Sequence, residues 1–130
     1  MIKNIVFDLG GVLIDWDPRY LFRKMLPDEE TVEKFLADVC TAEWNVQQDA
    51  GRTIVEAEEE LIGRFPEQES LIRAYYGRWE ESLGGPIDGT VEIFSRLKKK
   101  TLSDLCVEQL VRRNVPYCKR AISIPGLVRW

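Results

Sequence analysis

The chain opens with a short apolar run that stops at a carboxylate and a pair of glycines. Ile2 to Phe7 reads IKNIVF, and Asp8 follows directly. An apolar run of this length with β-branched residues, bounded by turn residues, is typical of a buried strand in a parallel sheet. The segment from Asp8 to Ile14 predicts a turn in which Gly10 and Gly11 allow the backbone to approach a ligand closely.

Apolar positions recur at helical spacing over residues 15–83, which predicts a long helical stretch. Asp17, followed by proline, predicts the N-cap of a first helix, and Asp28 predicts the cap of the next one. Thr53 and Glu56 have the spacing of a capping box. The apolar positions predicted to share the inner helix faces are Val32, Phe35, Leu36, Val39, Val55, Leu61, Ile62, Phe65, Leu71, Ile72, Tyr75, Tyr76, Trp79 and Leu83.

Gly84, Gly85 and Pro86 together form the strongest linker signal in the chain. Asp88 then begins a further predicted helix, which ends in the lysines at 98–100. Residues 103–113 as written predict a short helix rather than a strand, so the first strand is expected to have no intact parallel sheet to join.

The residues from Leu102 to Trp130 differ in composition from the rest of the chain. They are basic, and they contain two of the three cysteines, whereas the preceding part is acidic. Back-translation with a shift of one base permits a strand-like run, YPIYAL, followed by Ser-Asn and an amphipathic helix. We therefore expect the tail 102–130 to have an out-of-frame origin and the chain to be truncated. A basic extension that binds a partner is the alternative interpretation.

The composition of the chain excludes several classes of binding partner and of catalytic site. The chain has 130 residues and a formal net charge of −4, which argues against nucleic-acid and membrane-surface partners. The sequence shows neither a bilayer-spanning apolar run nor a signal peptide, and its three cysteines are widely spaced, so a cytoplasmic location is expected. There is no histidine, which excludes histidine-based catalytic dyads and argues against zinc sites.

The stretch from Asn4 to Arg19, NIVFDLGGVLIDWDPR, resembles the first motif of haloacid dehalogenase-like hydrolases. The resemblance is closest to the branch whose helical cap is inserted directly after that motif, and it covers Met1 to about Lys100. It implies an α/β fold, with an incomplete Rossmann-like core and an inserted α-helical cap, mostly helical as written. The implied division is 1–14 for the first strand and catalytic loop, 15–85 for the cap, 86–101 for a core helix, and 102–130 for the tail.

The resemblance implies that Asp8 is the nucleophile and forms an aspartyl-phosphate or aspartyl-ester intermediate. It also implies Mg²⁺ as the cofactor, held by the Asp8 carboxylate and the backbone carbonyl of Gly10. The amides of Leu9, Gly10 and Gly11 are candidates for a small nest that binds phosphate oxygens. From the residue pattern alone, Asp8 is equally well explained as a strand-ending residue that caps a turn. Phosphatases of this family usually carry a second Asp two residues after the nucleophile, where this chain has Gly10.

The leading expectation is a magnesium-dependent phosphatase of small phosphorylated metabolites. The chain as written is expected to be inactive, because it has no position matching the family's later Ser, Lys and acidic pair. Two alternatives stay open: a 2-haloacid dehalogenase-type hydrolase, in which Asp8 attacks carbon, and a non-catalytic small helical binding module. Exposed apolar surface on an incomplete core makes self-association a further expectation.

Several other side chains admit a structural and a functional interpretation. Cys40 is expected to be a buried, inert thiol. Arg19 and Arg23 are expected to lie on a solvated helix face rather than to contact substrate. Helical aromatic residues are more often part of a core than of a substrate-facing surface, and the residues concerned are Trp44, Tyr75, Tyr76 and Trp79.

Overall fold

The computed structural model describes residues 5–99 and 105–108, and most of these residues are helical. Contacts within the chain separate two compact units. In the described part, one unit comprises residues 5–16, 84–99 and 105–108, and we call it the sheet unit. The other comprises Asp17–Leu83, and we call it the helical unit. The chain is therefore a mixture of a small α/β unit and an all-helical unit.

The sheet unit contains a parallel pair of strands, β1 (Ile5–Asp8) and its partner Leu105–Glu108. The register places Asp8 opposite Glu108 at the carboxyl ends of both strands. The helix Asp88–Lys99 precedes the second of these strands in the chain. It packs against β1 through Phe94, which is buried and meets the ring of Phe7 edge to face, with 5.2 Å between ring centroids.

The strand at Leu105–Glu108 corrects the prediction of a short helix over residues 103–113. Its sequence, LCVE, has the apolar and β-branched residues that suit a strand. Pairing with β1 also gives hydrogen-bond partners to backbone groups along one edge of each strand. The first strand thus has a parallel neighbour, contrary to expectation. The other residues of the predicted out-of-frame tail, 102–104 and 109–130, lie outside the described residues.

A second two-stranded sheet joins β2 (Ile14–Trp16) to β3 (Leu83–Pro86). The Ile87 amide donates to the Leu13 carbonyl at 2.9 Å beyond one end of the pair. Because these flanking residues come before β2 and after β3, the strands run antiparallel. In chain order the helix Asp88–Lys99 is α6, after the five helices of the helical unit, and the strand Leu105–Glu108 is β4.

This sheet corrects two predictions at once. Residues 15 and 16 belong to a strand rather than to a helix, and the predicted linker at 84–86 is part of β3. Gly85 has a φ of +112°, a backbone conformation that glycine adopts at no steric cost. Gly84 and Gly85, which indicated a linker, therefore lie in a strand, and Gly85 gives that strand its unusual backbone angle. The predicted cap of 15–85 accordingly includes strand residues at both of its ends.

The helical unit consists of five α-helices and two 3₁₀ turns. The helices are α1 (Arg19–Phe22), α2 (Glu29–Asp38), α3 (Ala42–Asp49), α4 (Ile54–Arg64) and α5 (Glu69–Gly77), and the 3₁₀ turns are Pro66–Gln68 and Trp79–Ser82. Their buried apolar residues form one core: Leu21, Phe22, Val32, Phe35, Val39, Cys40, Trp44, Ala57, Leu61, Ile72, Ala74 and Tyr75. Helix α3, which the sequence pattern did not delimit, is capped by the side chain of Thr41.

Two of the predicted helix caps are confirmed. The Asp28 carboxylate accepts the Thr31 amide at 2.7 Å at the start of α2. Thr53 and Glu56 form a reciprocal capping box at the start of α4. These side chains satisfy amide groups that have no partner within the first helical turn.

Helix α1 differs from its prediction in both position and length. It begins at Arg19, one residue later than predicted, and it ends at Phe22 in a series of turns. The Asp17 carboxylate still accepts the Arg19 amide at 2.9 Å, so it holds the entry to the helix from just outside it.

The inner face of α4 also differs from its prediction. Val55 was expected to be buried but is 61% exposed, whereas Ala57 and Leu61 are buried. Two residues span about 200° around an α-helix, so Val55 and Ala57 lie on nearly opposite faces. None of the helices in the described part of the chain has the length and apolar content needed to cross a bilayer.

Candidate functional site

Asp8 is the last residue of β1, and its side chain is exposed. Its Oδ1 atom accepts the Leu9 amide at 2.6 Å, so the carboxylate caps the turn that begins there. The interpretation of Asp8 as a residue that caps a turn is therefore confirmed by this hydrogen bond. The carboxylate also remains open to solvent at the end of a parallel strand, which is where ligands bind in open α/β sheets.

The loop after Asp8 is held closed by backbone hydrogen bonds. The Leu9 carbonyl accepts the Leu13 amide at 3.0 Å and the Ile14 amide at 2.9 Å. The Gly11 amide donates to the Ile14 carbonyl at 2.8 Å, and Gly10 forms an isolated bridge with Ile14. These contacts connect the loop directly to the first residue of β2.

The two glycines of this loop face open space. A Cβ atom built on Gly10 or on Gly11 would meet no atom of the described residues within 4 Å. Gly11 has a φ of +73°, so a side chain there would be strained by the backbone angle rather than by crowding. There is therefore space beside these glycines for the predicted close approach of a ligand to the backbone.

The three amides predicted to form a phosphate nest are not equivalent. The Leu9 amide donates to Asp8, and the Gly11 amide donates to Ile14. Among residues 5–99 and 105–108, no acceptor is hydrogen-bonded to the Gly10 amide. In this arrangement Gly10 is the member of the predicted set with an amide available to an anion.

The donor atoms at the loop are compatible in kind with a magnesium ion. Mg²⁺ takes hard oxygen ligands and is usually held by one or two carboxylates, with water and substrate phosphate completing its shell. The Asp8 carboxylate and the Gly10 carbonyl are such ligands. Within the described part of the chain, no three acidic or thiol side chains cluster as a ready-made metal site. Glu108 occupies the register position beside Asp8 on the neighbouring strand.

The aromatic residues of the helical unit mainly form its core. Trp44 and Tyr75 are buried, and their rings meet edge to face with 5.3 Å between centroids. Tyr76 is half-buried, and its hydroxyl donates to Asn45 Oδ1 at 2.6 Å and accepts from Gln48 Nε2 at 2.8 Å. The prediction of a core role is confirmed for Trp44 and Tyr75.

The predicted burial of the Cys40 thiol is also confirmed. Cys40 is 2% exposed, and burial together with the nearby Glu58 carboxylate raises its pKa to about 12. A thiol with that pKa is protonated at neutral pH and is a poor nucleophile.

Arg19 and Arg23 form ion pairs within the helical unit, as expected for a solvated helix face. Arg19 contacts Glu33, and Arg23 contacts Glu29. The hydrogen bond that Arg19 donates to Glu33 raises the pKa of Arg19, and the one that Arg23 donates to Glu29 raises the pKa of Arg23. Both guanidinium groups are therefore engaged by carboxylates of α2.

Trp16 is a candidate residue that the sequence pattern did not single out. It is the last residue of β2 and is half-buried, and no acceptor is within reach of its Nε1 atom among the described residues. The only local signal for a strand here is weak: Ile14, Asp15 and Trp16 alternate between apolar and polar over three residues.

Comparisons with known proteins identify no relative from which the role of Asp8 and its loop could be taken. No protein-family model matches the sequence, and neither a curated protein nor a solved structure shows significant similarity to it.

Proposed function

We propose that this chain derives from a magnesium-dependent hydrolase of the haloacid dehalogenase-like superfamily, acting in the cytoplasm on small phosphorylated metabolites. The observation that carries the proposal is the position of Asp8. It is an exposed carboxylate at the carboxyl end of a parallel strand, and a glycine loop with open space beside it follows directly. A nucleophilic carboxylate needs this combination of access and nearby backbone donors.

In the proposed reaction an Asp8 oxygen attacks the phosphorus atom of the ester. A bond forms between that oxygen and phosphorus, the bond from phosphorus to the leaving oxygen breaks, and the leaving oxygen takes its proton from solvent water. Water then attacks the aspartyl-phosphate, which releases inorganic phosphate and restores the carboxylate. The Gly10 amide donates to a phosphoryl oxygen as charge develops there.

A magnesium ion held by the Asp8 carboxylate and the Gly10 carbonyl would offset the negative charges that meet at this point. The donor types fit such an ion, as argued above. The Asp8 side chain is exposed, which leaves its oxygens accessible both to the ion and to the substrate.

The helical unit supports the proposal through the way it is inserted. The chain leaves the sheet unit after β2 and returns to it at β3, and these two strands pair with each other. A helical segment inserted in this way directly after the nucleophile loop is the arrangement expected of a cap. Caps of this kind exclude water from the reaction and select the substrate.

A dehalogenase reaction is the second candidate, and Gly10 is the observation that favours it. In a phosphatase, the residue two positions after the nucleophile usually supplies a proton to the leaving oxygen, and glycine has no side chain with which to do so. A halide leaving group needs no proton. Attack of Asp8 on the carbon of a 2-haloacid would therefore be less affected by this residue.

The reading frame gives the first test. The nucleotide sequence across Lys100 to Ser103 should show that a shift of one base opens a frame that continues past the codon of Trp130. An early stop in the shifted frame would remove the hydrolase origin and leave the helical binding module. The chain as written should show negligible turnover of phosphate esters, because none of residues 1–130 matches the family's later Ser, Lys and acidic pair.

The frame-restored protein gives the second test. It should release phosphate from small phosphate esters in the presence of Mg²⁺, and Asp8→Asn should abolish this release. Asp38→Asn, which alters an exposed carboxylate at the end of α2, is the matched control and should retain activity. Halide release from 2-haloacids without phosphate release would favour the second candidate. Activity that survives Asp8→Asn would exclude both.

A further inference from the structure

The helix α6 begins with an aspartate that is followed directly by a glycine. Asp88 is its first residue and Gly89 its second, and both are exposed. Of the eight aspartates in the sequence, Asp88 is the one that precedes a glycine. Because glycine has no Cβ atom, its backbone nitrogen is the least hindered of any residue. The Asp88–Gly89 link is therefore the most accessible place in the chain for a reaction between an aspartyl carboxyl group and the next backbone nitrogen.

The Gly89 amide is not held by a hydrogen bond in the described part of the chain. Amides in the first turn of a helix have no acceptor within that helix. Among residues 5–99 and 105–108, no acceptor outside the helix is bonded to the Gly89 amide either. A Cβ atom built on Gly89 would meet none of the described atoms within 4 Å. Both hydrogen bonding and packing thus leave this nitrogen accessible.

The start of α6 is held by backbone contacts of a residue that cannot cap a helix with its side chain. The Ile87 carbonyl accepts the Thr90 amide and the Val91 amide, each at 3.0 Å. Isoleucine has no side-chain acceptor, whereas α2 and α4 both begin with a capping side chain. A helix start without such a cap frays more readily. Fraying releases Asp88 from its helical backbone angles, which lets its carboxyl carbon reach the Gly89 nitrogen.

We infer that Asp88 is a modification site, at which the Asp88–Gly89 link rearranges to isoaspartate through a succinimide ring. The Gly89 nitrogen attacks Cγ of the protonated Asp88 carboxyl group and forms a bond to it. The bond from Cγ to the carboxyl hydroxyl breaks, and one water leaves, made of that hydroxyl and the amide hydrogen. Water then opens the ring. Cleavage between the nitrogen and the main-chain carbonyl carbon of Asp88 gives isoaspartate, and cleavage between the nitrogen and Cγ restores aspartate.

Isoaspartate at this position changes the helix that packs on β1. The main chain then passes through Cγ and is longer by one methylene group within the first turn of α6. The two hydrogen bonds to the Ile87 carbonyl span this link, so they cannot keep their present geometry. The same helix places Phe94 against Phe7 of β1. The modification therefore loosens the start of α6, and it does so without any ligand, so it does not depend on the proposed function.

Ageing of the full chain tests the inference. The folded protein is held for several weeks at physiological temperature in mildly acidic buffer and then digested. Mass spectrometry with electron-transfer fragmentation distinguishes isoaspartate from aspartate, which has the same mass. We expect isoaspartate at position 88 to exceed that at Asp49 several-fold, because Asp49 is also exposed but is followed by alanine.

Gly89→Ala is the matched variant. An alanine Cβ atom has space at this position, and alanine favours a helix more than glycine does, so the variant should fold. It should suppress isoaspartate at position 88, because the Cβ atom hinders the attack. Equal amounts at positions 88 and 49, or no suppression in Gly89→Ala, would overturn the inference. Formation in a urea-unfolded sample alone would also overturn it, because the folded helix would then protect the link. None of these results bears on phosphate binding at the Asp8 loop.

Discussion

The amide of Asp17 donates to the carbonyl of Ser82 at 2.9 Å, so the two ends of the helical unit are joined by a backbone hydrogen bond. Between these residues the chain builds its own buried core around Phe22, Leu61 and Tyr75. A segment with its own core and neighbouring ends has the features of an independently folding unit.

The isolated segment 17–83 should therefore fold without the rest of the chain. We expect a helical circular-dichroism spectrum and a cooperative thermal transition. A control segment, 17–77, lacks the turn Trp79–Ser82 and with it the Ser82 carbonyl, so it should unfold at a lower temperature. A non-cooperative, coil-like 17–83 segment would show that the helices depend on the sheet unit.

Leu61 and Val55 offer a matched pair of truncations on the same helix. Leu61 is 1% exposed and Val55 is 61% exposed. We expect Leu61→Ala to lower the free energy of unfolding by about 2–5 kcal/mol, because it removes buried apolar contacts and leaves a cavity. Val55→Ala should change it by less than about 0.5 kcal/mol. Urea denaturation measures both, and similar losses for the two variants would contradict the orientation assigned to α4.

Arg52 connects α3 to α4 through several contacts of one guanidinium. It lies 5.8 Å from the centre of the Trp44 ring and donates to the Trp44 carbonyl at 2.8 Å. It also pairs with Glu60, while its own side chain is only 17% exposed. We expect Arg52→Ala to cost about 1–3 kcal/mol of unfolding free energy, through a lost charge-assisted hydrogen bond and a lost cation–π contact.

Arg64→Ala is the control for Arg52→Ala, because Arg64 also pairs with Glu60 but is 62% exposed. An exposed pair of this kind contributes about 0–0.5 kcal/mol, so this variant should be nearly neutral. Equal effects of the two substitutions in thermal unfolding would show that the pairing with Glu60, rather than the contacts with Trp44, determines the role of Arg52.

Cys40 should be unreactive until the helical unit opens. In a Cys106→Ser, Cys118→Ser background, we expect a thiol reagent such as 5,5′-dithiobis(2-nitrobenzoate) to modify Cys40 at pH 8 only as fast as unfolding exposes it. Low concentrations of urea should therefore accelerate the reaction strongly. Rapid modification without urea would contradict the burial of this side chain.

The same thiol should make stability depend on alkaline pH. Burial raises the pKa of Cys40 from its usual 9.0 to about 12, so between these values the unfolded chain loses a proton that the folded chain retains. The free energy of unfolding should then fall as pH rises through this range. Burial also raises the pKa of Tyr75 and of Tyr76, which adds to the same trend. A pH series of urea melts checks the sign, and a flat profile above pH 9 would contradict it.

Local signals in the sequence predicted the parts of the fold that depend on local physics. The caps at Asp28 and Thr53 are confirmed because a cap involves only residues within one helical turn of each other. The end of α4 before Pro66 follows from the missing amide of proline. The core positions Trp44 and Tyr75 follow from apolar residues at helical spacing.

Pairings between distant segments were not predictable in the same way. Strand β2 is three residues long and gains its partner about seventy residues later, so its own sequence carries little strand signal. The strand at Leu105–Glu108 depends equally on β1 for its hydrogen bonds. For the candidate site, the sequence indicated Asp8 and the glycines, whereas the internal use of the Leu9 and Gly11 amides depends on how the loop closes.

The antiparallel contact of β2 with β3 has a consequence for how this chain can be rebuilt. Two adjacent antiparallel strands can be connected by a two-residue turn, so a short hairpin has the geometry to replace everything between Trp16 and Leu83. The helical segment between these strands can therefore be replaced by one of different size or surface without changing the chain path of the sheet unit. Grafting a foreign helical bundle at these two positions would change the inserted segment while leaving the loop after Asp8 intact.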